Sequence, residues 1–396
     1  MKTNSIKLFP PLIKIVTDVI HTINTDQLPI DKTLAPILKN KQLGSRDRRF
    51  IIEQTYDIIR NRSFFDSVLN HWKLPTDVPH QILVNLLNND VQILNPEIIS
   101  PNFKYTSEDL NNIELTDSNQ NSFPDWMEKE GRKDYGEEWD KIAQSLNESA
   151  KIYIRPNTLL TSAQTLQNKL SRDRIDTVKK DESLLLVKKD NLKNHKLYLK
   201  GHFEIQDWAS QQVAVLADIQ EDQLVVDACA GAGGKTLHLA ALLNQTGRII
   251  ASDFNDHRLK QLTYRMERAK ANEIEIIDYD QLHIFEGNVD RLILDVPCTA
   301  TGTIRRKPEI KWNVSEENLK AYITTQQQIL TKQSPLVKTG GLLIYATCSI
   351  FKAESEDQVQ WFLANNKNFE LVQEKRFLPH IDRCDGFYIG VLRKVS

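Results

Sequence analysis

The chain has 396 residues and a formal net charge of -2, with 40% hydrophobic and 26% charged residues. This length predicts two or three domains of roughly 100–200 residues each. The composition excludes a collagen-like, largely disordered or disulfide-stapled protein. No apolar run reaches the roughly 18 residues of a membrane helix, so we expect no membrane association. Only four cysteines in a chain of this length predict a reducing, cytoplasmic location.

The composition and the hydrophobic pattern of the sequence divide the chain into four regions. Residues 1–95 carry apolar side chains at helical spacing, as in Ile52, Tyr56 and Ile59, which predicts a helical domain. Residues 96–122 are rich in Asn, Ser, Asp and Pro and predict a linker. In residues 123–200, two short helices on either side of Gly136 precede alternating, strand-like runs such as HKLYLKG, which predicts a small α+β subdomain. From residue 201 to 396, strand-like and helical runs alternate, which predicts a parallel sheet with crossover helices.

A cluster of basic residues lies within the helical region. It comprises Lys39, Lys41, Arg46, Arg48 and Arg49. One interpretation is a solvated helix start with Ser45 as the N-cap. The other is a patch that contacts phosphates, because cations outnumber acids here although the whole chain is nearly neutral.

The first motif that bears on chemistry is the segment LVVDACAGAGGKTLHLA, from Leu224 to Ala240. It predicts a buried strand, a glycine-rich turn and a helix that begins near Lys235, a combination that suits nucleotide-like ligands. The segment is neither a Walker A loop nor a dinucleotide fingerprint. Cys229 replaces the first glycine of the former, and Thr236 replaces the last glycine of the latter. A tight strand-to-helix connection without a ligand is the alternative.

Acidic residues follow the next two predicted strands. Asp253 ends RIIASD, where an α/β sheet places a ribose-binding carboxylate, although it could also cap the helix that follows. Asp278 follows EIEII and is a candidate for the adenine amino group, with Asp280 as a neighbouring alternative. Arg258, in the helix after Asp253, is a further candidate cofactor contact.

Two cysteines follow predicted strands near the carboxyl edge of the sheet. Cys298 belongs to Asp295-Val-Pro-Cys, and Cys348 follows the run LLIYAT. A single cysteine is more often a small core residue than a nucleophile, but packing alone poorly explains two in this position. We expect no metal ion, since the sequence has no CxxC spacing and Thr301 occupies the place of the second cysteine of zinc deaminases.

These motifs together resemble the RNA cytosine-carbon-5 methyltransferases of the RsmB and NOP/Sun family. The resemblance includes Thr347-Cys348-Ser349, and the segment from Thr299 to Trp312 is most similar to the bacterial RsmB branch. It implies a Rossmann-like methyltransferase domain after a helical NusB-like RNA-binding domain and a small RRM-like α+β subdomain. There are two departures. The family's usual CAAPGGK is CAGAGGK here, and Thr299 replaces the usual Ser.

The resemblance implies a reaction and roles for the site residues. S-adenosylmethionine would donate a methyl group to carbon 5 of a cytosine in RNA. The similarity to the RsmB branch implies that this RNA is small-subunit ribosomal RNA. Cys348 would attack carbon 6, Cys298 would assist product release, and Asp295 could bind the cytosine amino edge. Lys235 either provides positive charge near the thiolate or lies on a helix surface. The cofactor would contact Asp253, Arg258, Asp278, Asp295 and the loop residues Cys229, Ala230, Gly231, Ala232, Gly233, Gly234 and Lys235.

The expected partner is RNA, bound by a monomer. Basic residues after the Cys298 turn are either phosphate contacts or a solvated loop; they are Arg305, Arg306, Lys307 and Lys311. Three alternatives stay open: a transfer-RNA substrate, a DNA cytosine methyltransferase with its nucleophile in Pro297-Cys298, and a catalytically silent RNA-binding assembly factor.

Overall fold

The computed structural model describes residues 5–188 and 191–396. The chain forms two compact units, Met1–Glu148 with Ile304–Glu316, and Ser149–Thr303 with Glu317–Ser396. The helices, in chain order, are α1 Pro10–Asp26, α2 Ile30–Leu38, α3 Ser45–Arg60, α4 Arg62–His71, α5 Val78–Asn88, α6 Ser107–Leu110, α7 Asp117–Asn121, α8 Asp125–Tyr135, α9 Glu138–Asn147, α10 Ala163–Arg172, α11 Lys196–Leu199, α12 Trp208–Leu216, α13 Thr236–Leu243, α14 Asp256–Ala269, α15 Ile310–Asn313, α16 Glu316–Gln333, α17 Glu356–Asn365 and α18 Pro379–Asp382. The strands are β1 Ser5–Ile6, β2 Gln92–Ile93, β3 Tyr153–Pro156, β4 Thr177–Lys180, β5 Ser183–Leu186, β6 Phe203–Ile205, β7 Leu224–Asp227, β8 Arg248–Ala251, β9 Ile274–Ile276, β10 Val289–Asp295, β11 Val337–Thr347, β12 Phe369–Phe377 and β13 Phe387–Lys394. Across the described ranges, no helix combines the length and apolar character that crossing a membrane requires.

The first unit is a helical bundle, as the apolar spacing predicts. Its core is formed by fully buried side chains of α1, α3, α4 and α5, among them Val16, Ile51 and Phe65. The region expected to be a linker contributes to this core. Tyr105 stacks on Trp72 with ring centroids 4.1 Å apart, which ties the segment to α4.

The basic cluster of this unit lies at the start of α3. The N-cap is Gly44, whose amide donates to Asp47 Oδ2 at 3.1 Å, so the predicted N-cap role of Ser45 is wrong. Arg48 is half-buried and donates to the Asn40 carbonyl at 3.0 Å. The other cations of the cluster are exposed, namely Lys39, Lys41, Arg46 and Arg49.

The segment Ile304–Glu316 is part of the first unit, although it follows the Cys298 turn in sequence. Trp312 packs against the helical core and donates from Nε1 to the Ile59 carbonyl at 2.7 Å. The phosphate-contact prediction is wrong for Arg305 and Lys311, since only 3% and 0% of these residues are exposed. Their solvated-loop alternative is wrong for the same reason. Lys307 is exposed and Arg306 is half-buried.

Lys311 holds this segment through three oxygen acceptors. Its Nζ donates to the carbonyls of Arg60 at 2.7 Å and Ser122 at 2.8 Å, and to Asn147 Oδ1 at 2.5 Å. The ammonium group also lies 4.1 Å from the centroid of the Phe123 ring. A buried ammonium group is costly unless its donors are satisfied, and these acceptors satisfy them. Burial nevertheless lowers the pKa of Lys311.

The second unit contains a seven-stranded sheet in the order β12-β13-β11-β10-β7-β8-β9. The five strands from β11 to β9 are parallel, which confirms the predicted α/β architecture. Their apolar runs lie between helices on both faces, as expected for a parallel sheet; Val225, Ile249 and Ile344 are fully buried. The antiparallel pair β12 and β13 was not predicted.

A second sheet in this unit has the order β4-β5-β3-β6. The prediction of a strand in HKLYLKG is wrong. This segment contains α11, where His195 Nδ1 accepts from the Leu197 amide at 3.3 Å and so favours a helical turn. The sheet instead ends with β6, beyond the boundary expected at residue 200, while α8 and α9 belong to the first unit. The compact units thus differ from the domain boundaries expected from the sequence.

Candidate active site

The glycine-rich loop connects β7 to α13 at the carboxyl edge of the parallel sheet. Gly231 and Gly233 have positive φ angles of 54° and 84°, a conformation that glycine adopts without steric cost. The Gly233 amide donates to the Ala230 carbonyl at 2.8 Å and closes the turn. A Cβ on Gly233 would lie 2.2 Å from Leu262 Cδ1, so the loop packs tightly against α14.

Asp253 holds the loop from the neighbouring strand. Its Oδ2 accepts from the Gly231 amide and its Oδ1 accepts from the Asn255 amide, both at 2.7 Å. The N-cap of α14 is Asn255, so the predicted alternative of a helix-capping Asp253 is wrong. A Cβ on Gly234 would meet no atom within 4 Å, which leaves open space beside the loop. The open space and the adjacent carboxylate fit a nucleoside with a ribose diol.

A buried carboxyl supports the loop from beneath. Asp227 ends β7 and accepts from Thr236 Oγ1 at 2.7 Å, which joins the strand to the first residue of α13. Burial raises the pKa of Asp227 to about 7. Because Asp227 is buried between β7 and α13, its role is to support the glycine-rich loop.

Two arginines that sequence analysis missed fix the outer side of the loop. Arg155 on β3 donates to the carbonyls of Gly234 at 3.4 Å and Leu237 at 3.5 Å. Arg265 on α14 donates to the Ala232 carbonyl at 2.5 Å. Neither residue lies in a recognisable motif, and only the folded chain brings them to the loop.

The other predicted cofactor contacts lie further out. Asp278 follows β9 and is exposed, as is Arg258 on α14. Phe254, which sequence analysis missed, is 87% exposed directly after Asp253. Its ring centroid is 6.4 Å from that of Tyr279.

The two predicted catalytic cysteines lie side by side. Cys298 follows β10, Cys348 follows β11, and these strands are parallel neighbours with Asp295 in register with Ala346. The two Sγ atoms are 3.4 Å apart, and both residues are partly exposed. The sheet topology therefore brings together two thiols that are separated by fifty positions in the sequence.

Lys235 and Asp295 form an ion pair beside these thiols. Lys235 Nζ donates to Asp295 Oδ2 at 2.6 Å, and only 12% of the lysine side chain is exposed. The interpretation of Lys235 as a helix-surface residue is therefore wrong. Burial opposes the charge, but the Asp295 carboxylate and the Cys348 sulfur together raise the pKa of Lys235. The amine stays protonated, so a positive charge faces the cysteine pair.

The two sulfur atoms are not equivalent. A hydrogen bond to Cys348 and burial raise the pKa of Cys298 well above its ordinary value. Cys298 is therefore a neutral thiol that can donate to the Cys348 sulfur. Burial and the nearby Asp227 also raise the pKa of Cys229, so this residue contributes its backbone to the loop and no thiolate.

A polar network behind the cysteines was also missed by sequence analysis. The hydroxyls of Thr299, Thr301 and Ser349 lie 3.2–3.4 Å from one another. Glu354 accepts from Thr299 Oγ1 at 2.5 Å and is fully buried. In the described residues, no three His, Cys, Asp or Glu side chains form a group that could hold a metal ion.

Comparison with known proteins identifies the family of the chain. A family model described as "16S rRNA methyltransferase RsmB/F" matches residues 214–393, and the ferredoxin-like domain of RsmF/B-like methyltransferases matches residues 123–190. Ribosomal RNA small subunit methyltransferase B of Shewanella oneidensis is 34% identical over 289 residues, which cover 69% of this chain and 67% of that protein. The chain belongs to the RsmB/F methyltransferase family. It is accordingly an S-adenosylmethionine-dependent RNA methyltransferase, which excludes the DNA alternative.

Other relatives of this RsmB/F methyltransferase cover more of the chain. The methyltransferase B of Pectobacterium atrosepticum is 28% identical over 82% of this chain and 80% of its own. The crystal structure of PH0851 superposes with a TM-score of 0.79 at 23% identity, covering 98% of this chain and 99% of that one. NSun6 from Pyrococcus horikoshii, solved with SFG, gives a TM-score of 0.64 at 21% identity over 70% of this chain and 99% of its own. These two structures share the Rossmann-like fold.

Proposed function

We propose that this methyltransferase acts in the cytoplasm on small-subunit ribosomal RNA and methylates carbon 5 of a cytosine. The relatives from Shewanella and Pectobacterium carry ribosomal RNA small subunit methyltransferase names, which supports the substrate. The single observation that supports the chemistry is the pair of Sγ atoms 3.4 Å apart at the ends of β10 and β11. Methylation at a ring nitrogen, oxygen or exocyclic amine needs no thiol, whereas carbon 5 of cytosine must be activated by a nucleophile.

The cofactor would be held by the glycine-rich loop, with the Asp253 carboxylate facing its ribose. Arg258 and Asp278 would contribute at the outer rim, and Asp295, paired with Lys235, would be a further contact. S-adenosylmethionine supplies an electrophilic methyl group on a sulfonium. Lys235 and Asp295 would lie near the bound cofactor as an ion pair, and Cys298 would add no negative charge there.

The nucleophile is Cys348. Its thiolate would add to carbon 6 of the cytosine and make carbon 5 nucleophilic, so that carbon 5 would take the methyl group as the methyl–sulfur bond breaks and a neutral thioether leaves. The thiolate needs stabilisation at neutral pH, which Lys235 provides as a nearby cation and Cys298 provides as a hydrogen-bond donor. Asp295 can accept a hydrogen bond from the 4-amino group of the cytosine. This hydrogen bond would stabilise the ring after the thiolate has added to it.

Product release requires a base. The proton on carbon 5 must leave, the carbon–hydrogen electrons re-form the double bond, and the bond between carbon 6 and Cys348 Sγ breaks. Cys298 lies beside that sulfur and would serve as this base after its own thiol proton has passed to solvent; its raised pKa makes the resulting thiolate a strong base that takes the proton from carbon 5. The cytosine must also leave its stack to reach this site, which costs a few kcal/mol and favours unpaired RNA. The exposed cations at the start of α3 are suited to the phosphate backbone of that RNA.

The test uses labelled S-adenosylmethionine with ribosomal RNA and transfer RNA as separate substrates, followed by mapping of 5-methylcytosine. The unaltered protein should methylate small-subunit ribosomal RNA at one or a few cytosines. Cys348→Ala should abolish transfer while leaving cofactor affinity unchanged, because the thiol attacks RNA and does not hold the cofactor. Cys298→Ala should accumulate a protein–RNA complex that survives denaturing electrophoresis, and the double variant should not.

Each alternative has its own outcome in this test. Transfer to transfer RNA alone would replace the substrate, and RNA binding without transfer would indicate an assembly factor. A trapped complex with Cys348→Ala and none with Cys298→Ala would reverse the roles of the two cysteines.

A further inference from the structure

Glu354 is a buried carboxylate to which the reaction described above assigns no role. It ends the 3-10 helix Lys352–Glu354, six positions after Cys348, and is fully buried. Burial raises its pKa, and its side-chain contacts are with neutral donors. A buried carboxylate is costly, so its position calls for a physical explanation.

The contacts of Glu354 converge on the peptide groups that flank Cys298. Oε1 accepts from the Thr299 amide at 2.9 Å, directly after the cysteine. Gln326 on α16 donates from Nε2 to the same oxygen at 3.0 Å and to the Pro297 carbonyl at 3.0 Å, directly before the cysteine. Glu354 and Gln326 therefore hold Cys298 from both sides and contact each other.

The backbone after Cys298 needs this support. Ala300 has a φ of 57°, which a residue with a Cβ keeps only where its surroundings hold it there. The turn also meets the Cys348 backbone, because the Gly302 amide donates to the Cys348 carbonyl at 2.9 Å. A Cβ on Gly302 would lie 2.0 Å from the Gly386 carbonyl oxygen and 2.8 Å from the Cys348 carbonyl oxygen, so this turn packs without spare room.

We propose that Glu354, together with Gln326, is a positioning residue that fixes the Cys298 sulfur against the Cys348 sulfur. The proposal rests on the cytosine-5 function, since it assigns Glu354 to the step in which Cys298 assists release. Glu354 acts through the backbone on either side of Cys298 and touches no substrate. Glu354 contacts this turn a second time, because it also accepts a hydrogen bond from the Thr299 hydroxyl.

The first measurement follows the geometry of the thiols without any need for activity. Phenylarsine oxide condenses with two adjacent thiols, forming two arsenic–sulfur bonds and releasing one water, with no change of oxidation state. Intact mass should show rapid bridging in the unaltered protein and none in Cys348→Ala. Glu354→Gln keeps the size of the side chain but turns one acceptor into a donor, so bridging should slow at least tenfold. Glu370→Gln, at an exposed carboxylate of β12, is the matched control and should bridge normally.

The second measurement is catalytic. A misplacement of about 1 Å can cost roughly 10²-fold in rate, so Glu354→Gln should lose between tenfold and a hundredfold in kcat. The KM for RNA and the affinity for S-adenosylmethionine should change less than twofold. The variant should also accumulate the denaturation-resistant RNA complex expected of Cys298→Ala. Thr299→Ser keeps the hydroxyl and should retain activity, whereas Thr299→Val should share the defect.

The outcomes separate this proposal from the function on which it rests. If the unaltered protein methylates RNA but Glu354→Gln bridges and turns over normally, the positioning role is overturned. If Glu354→Gln binds the cofactor more weakly and melts at a lower temperature but bridges at the normal rate, Glu354 has only a structural role. That result would also overturn the proposal. If arsenical bridging slows as expected while the unaltered protein methylates no RNA, the positioning of the thiols holds and the cytosine-5 function fails alone.

Discussion

At the scale of single residues, the site separates charged from neutral groups over short distances. The protonated Lys235 contacts Asp295 at 2.6 Å, while Cys298 stays a neutral thiol 3.4 Å from the Cys348 sulfur. Asp227 lies one layer deeper and has a pKa of about 7 because of burial. Charge is thus concentrated at the atoms that would face cofactor and base, and the supporting carboxyl can be neutral.

The raised pKa of Asp227 has a consequence for stability. The folded chain binds this proton more tightly than the unfolded chain, where the pKa is 3.8, so the free energy of unfolding falls as pH rises between these two values. We expect the free energy of unfolding to fall by about 1.4 kcal/mol per pH unit between pH 3.8 and about pH 7. Asp227→Asn keeps an acceptor for Thr236 and should remove this slope.

Urea denaturation of both proteins between pH 5 and 8 tests this prediction. The difference between variant and unaltered protein should grow toward pH 7 and level off above it. If the free energy of unfolding depends on pH in the same way in both proteins, Asp227 is charged in the folded protein throughout this range.

At the scale of elements, the turn between β7 and α13 packs against α14 through Gly233. Gly233→Ala would place a Cβ 2.2 Å from Leu262 Cδ1 at a φ of 84°. We expect a loss of about 1–3 kcal/mol of stability and at least a tenfold loss of S-adenosylmethionine affinity. Gly234→Ala adds a Cβ where no atom lies within 4 Å and should leave stability unchanged.

Thermal denaturation and calorimetric titration with S-adenosylmethionine distinguish the two variants. Combining Gly233→Ala with Leu262→Ala removes the clash and leaves the backbone strain, so it should recover part of the cofactor affinity. Equal stability of Gly233→Ala and the unaltered protein would show that the loop tolerates a different path.

The elements also show what the sequence could predict. Strand ends were predictable because buried apolar runs alternate with helices, and the carboxyl ends of parallel strands share an edge. That rule is enough to place Asp253, Asp295, Cys298 and Cys348 in one region of the sheet. It could not find Arg155, because this residue acts from a separate sheet through backbone carbonyls that carry no sequence signal.

Glu354 and Gln326 were missed for a related reason. Glu354 contacts a main-chain amide and Gln326 contacts a main-chain carbonyl. Every residue type offers such groups, so the sequence does not reveal which residues these two side chains bind. The antiparallel strands β12 and β13 were missed because β12 is exposed along most of its length and lacks a buried apolar run.

At the scale of the whole molecule, the first unit is discontinuous in sequence. Its core needs Trp312, and its buried polar groups need Lys311, both from the returning segment Ile304–Glu316. We expect a fragment of residues 1–148 to be poorly folded, because the carbonyls of Arg60 and Ser122 would lose their shared donor, Lys311.

Circular dichroism and urea denaturation of two fragments test this expectation. The matched fragment carries residues 304–316 joined to residue 148 by a flexible Gly/Ser linker, and it should unfold cooperatively. Lys311→Met in that second fragment should lower its stability by about 2–4 kcal/mol, since three acceptors lose one donor group. A cooperative transition in the shorter fragment would contradict the prediction.

The returning segment also sets an order of events during protein synthesis. When residue 148 has been made, the ribosome must still translate the residues from Ser149 to Thr303 before the segment that completes the first unit exists. At about 5–20 residues per second, this interval lasts roughly 10–30 s. The apolar helices of the first unit are incomplete for that time, and a chaperone that shields them would be needed most in this interval. Four strands of the catalytic sheet, β7 to β10, are translated within the same interval, so a nascent chain has to hold an unfinished helical unit while part of the second unit is being made.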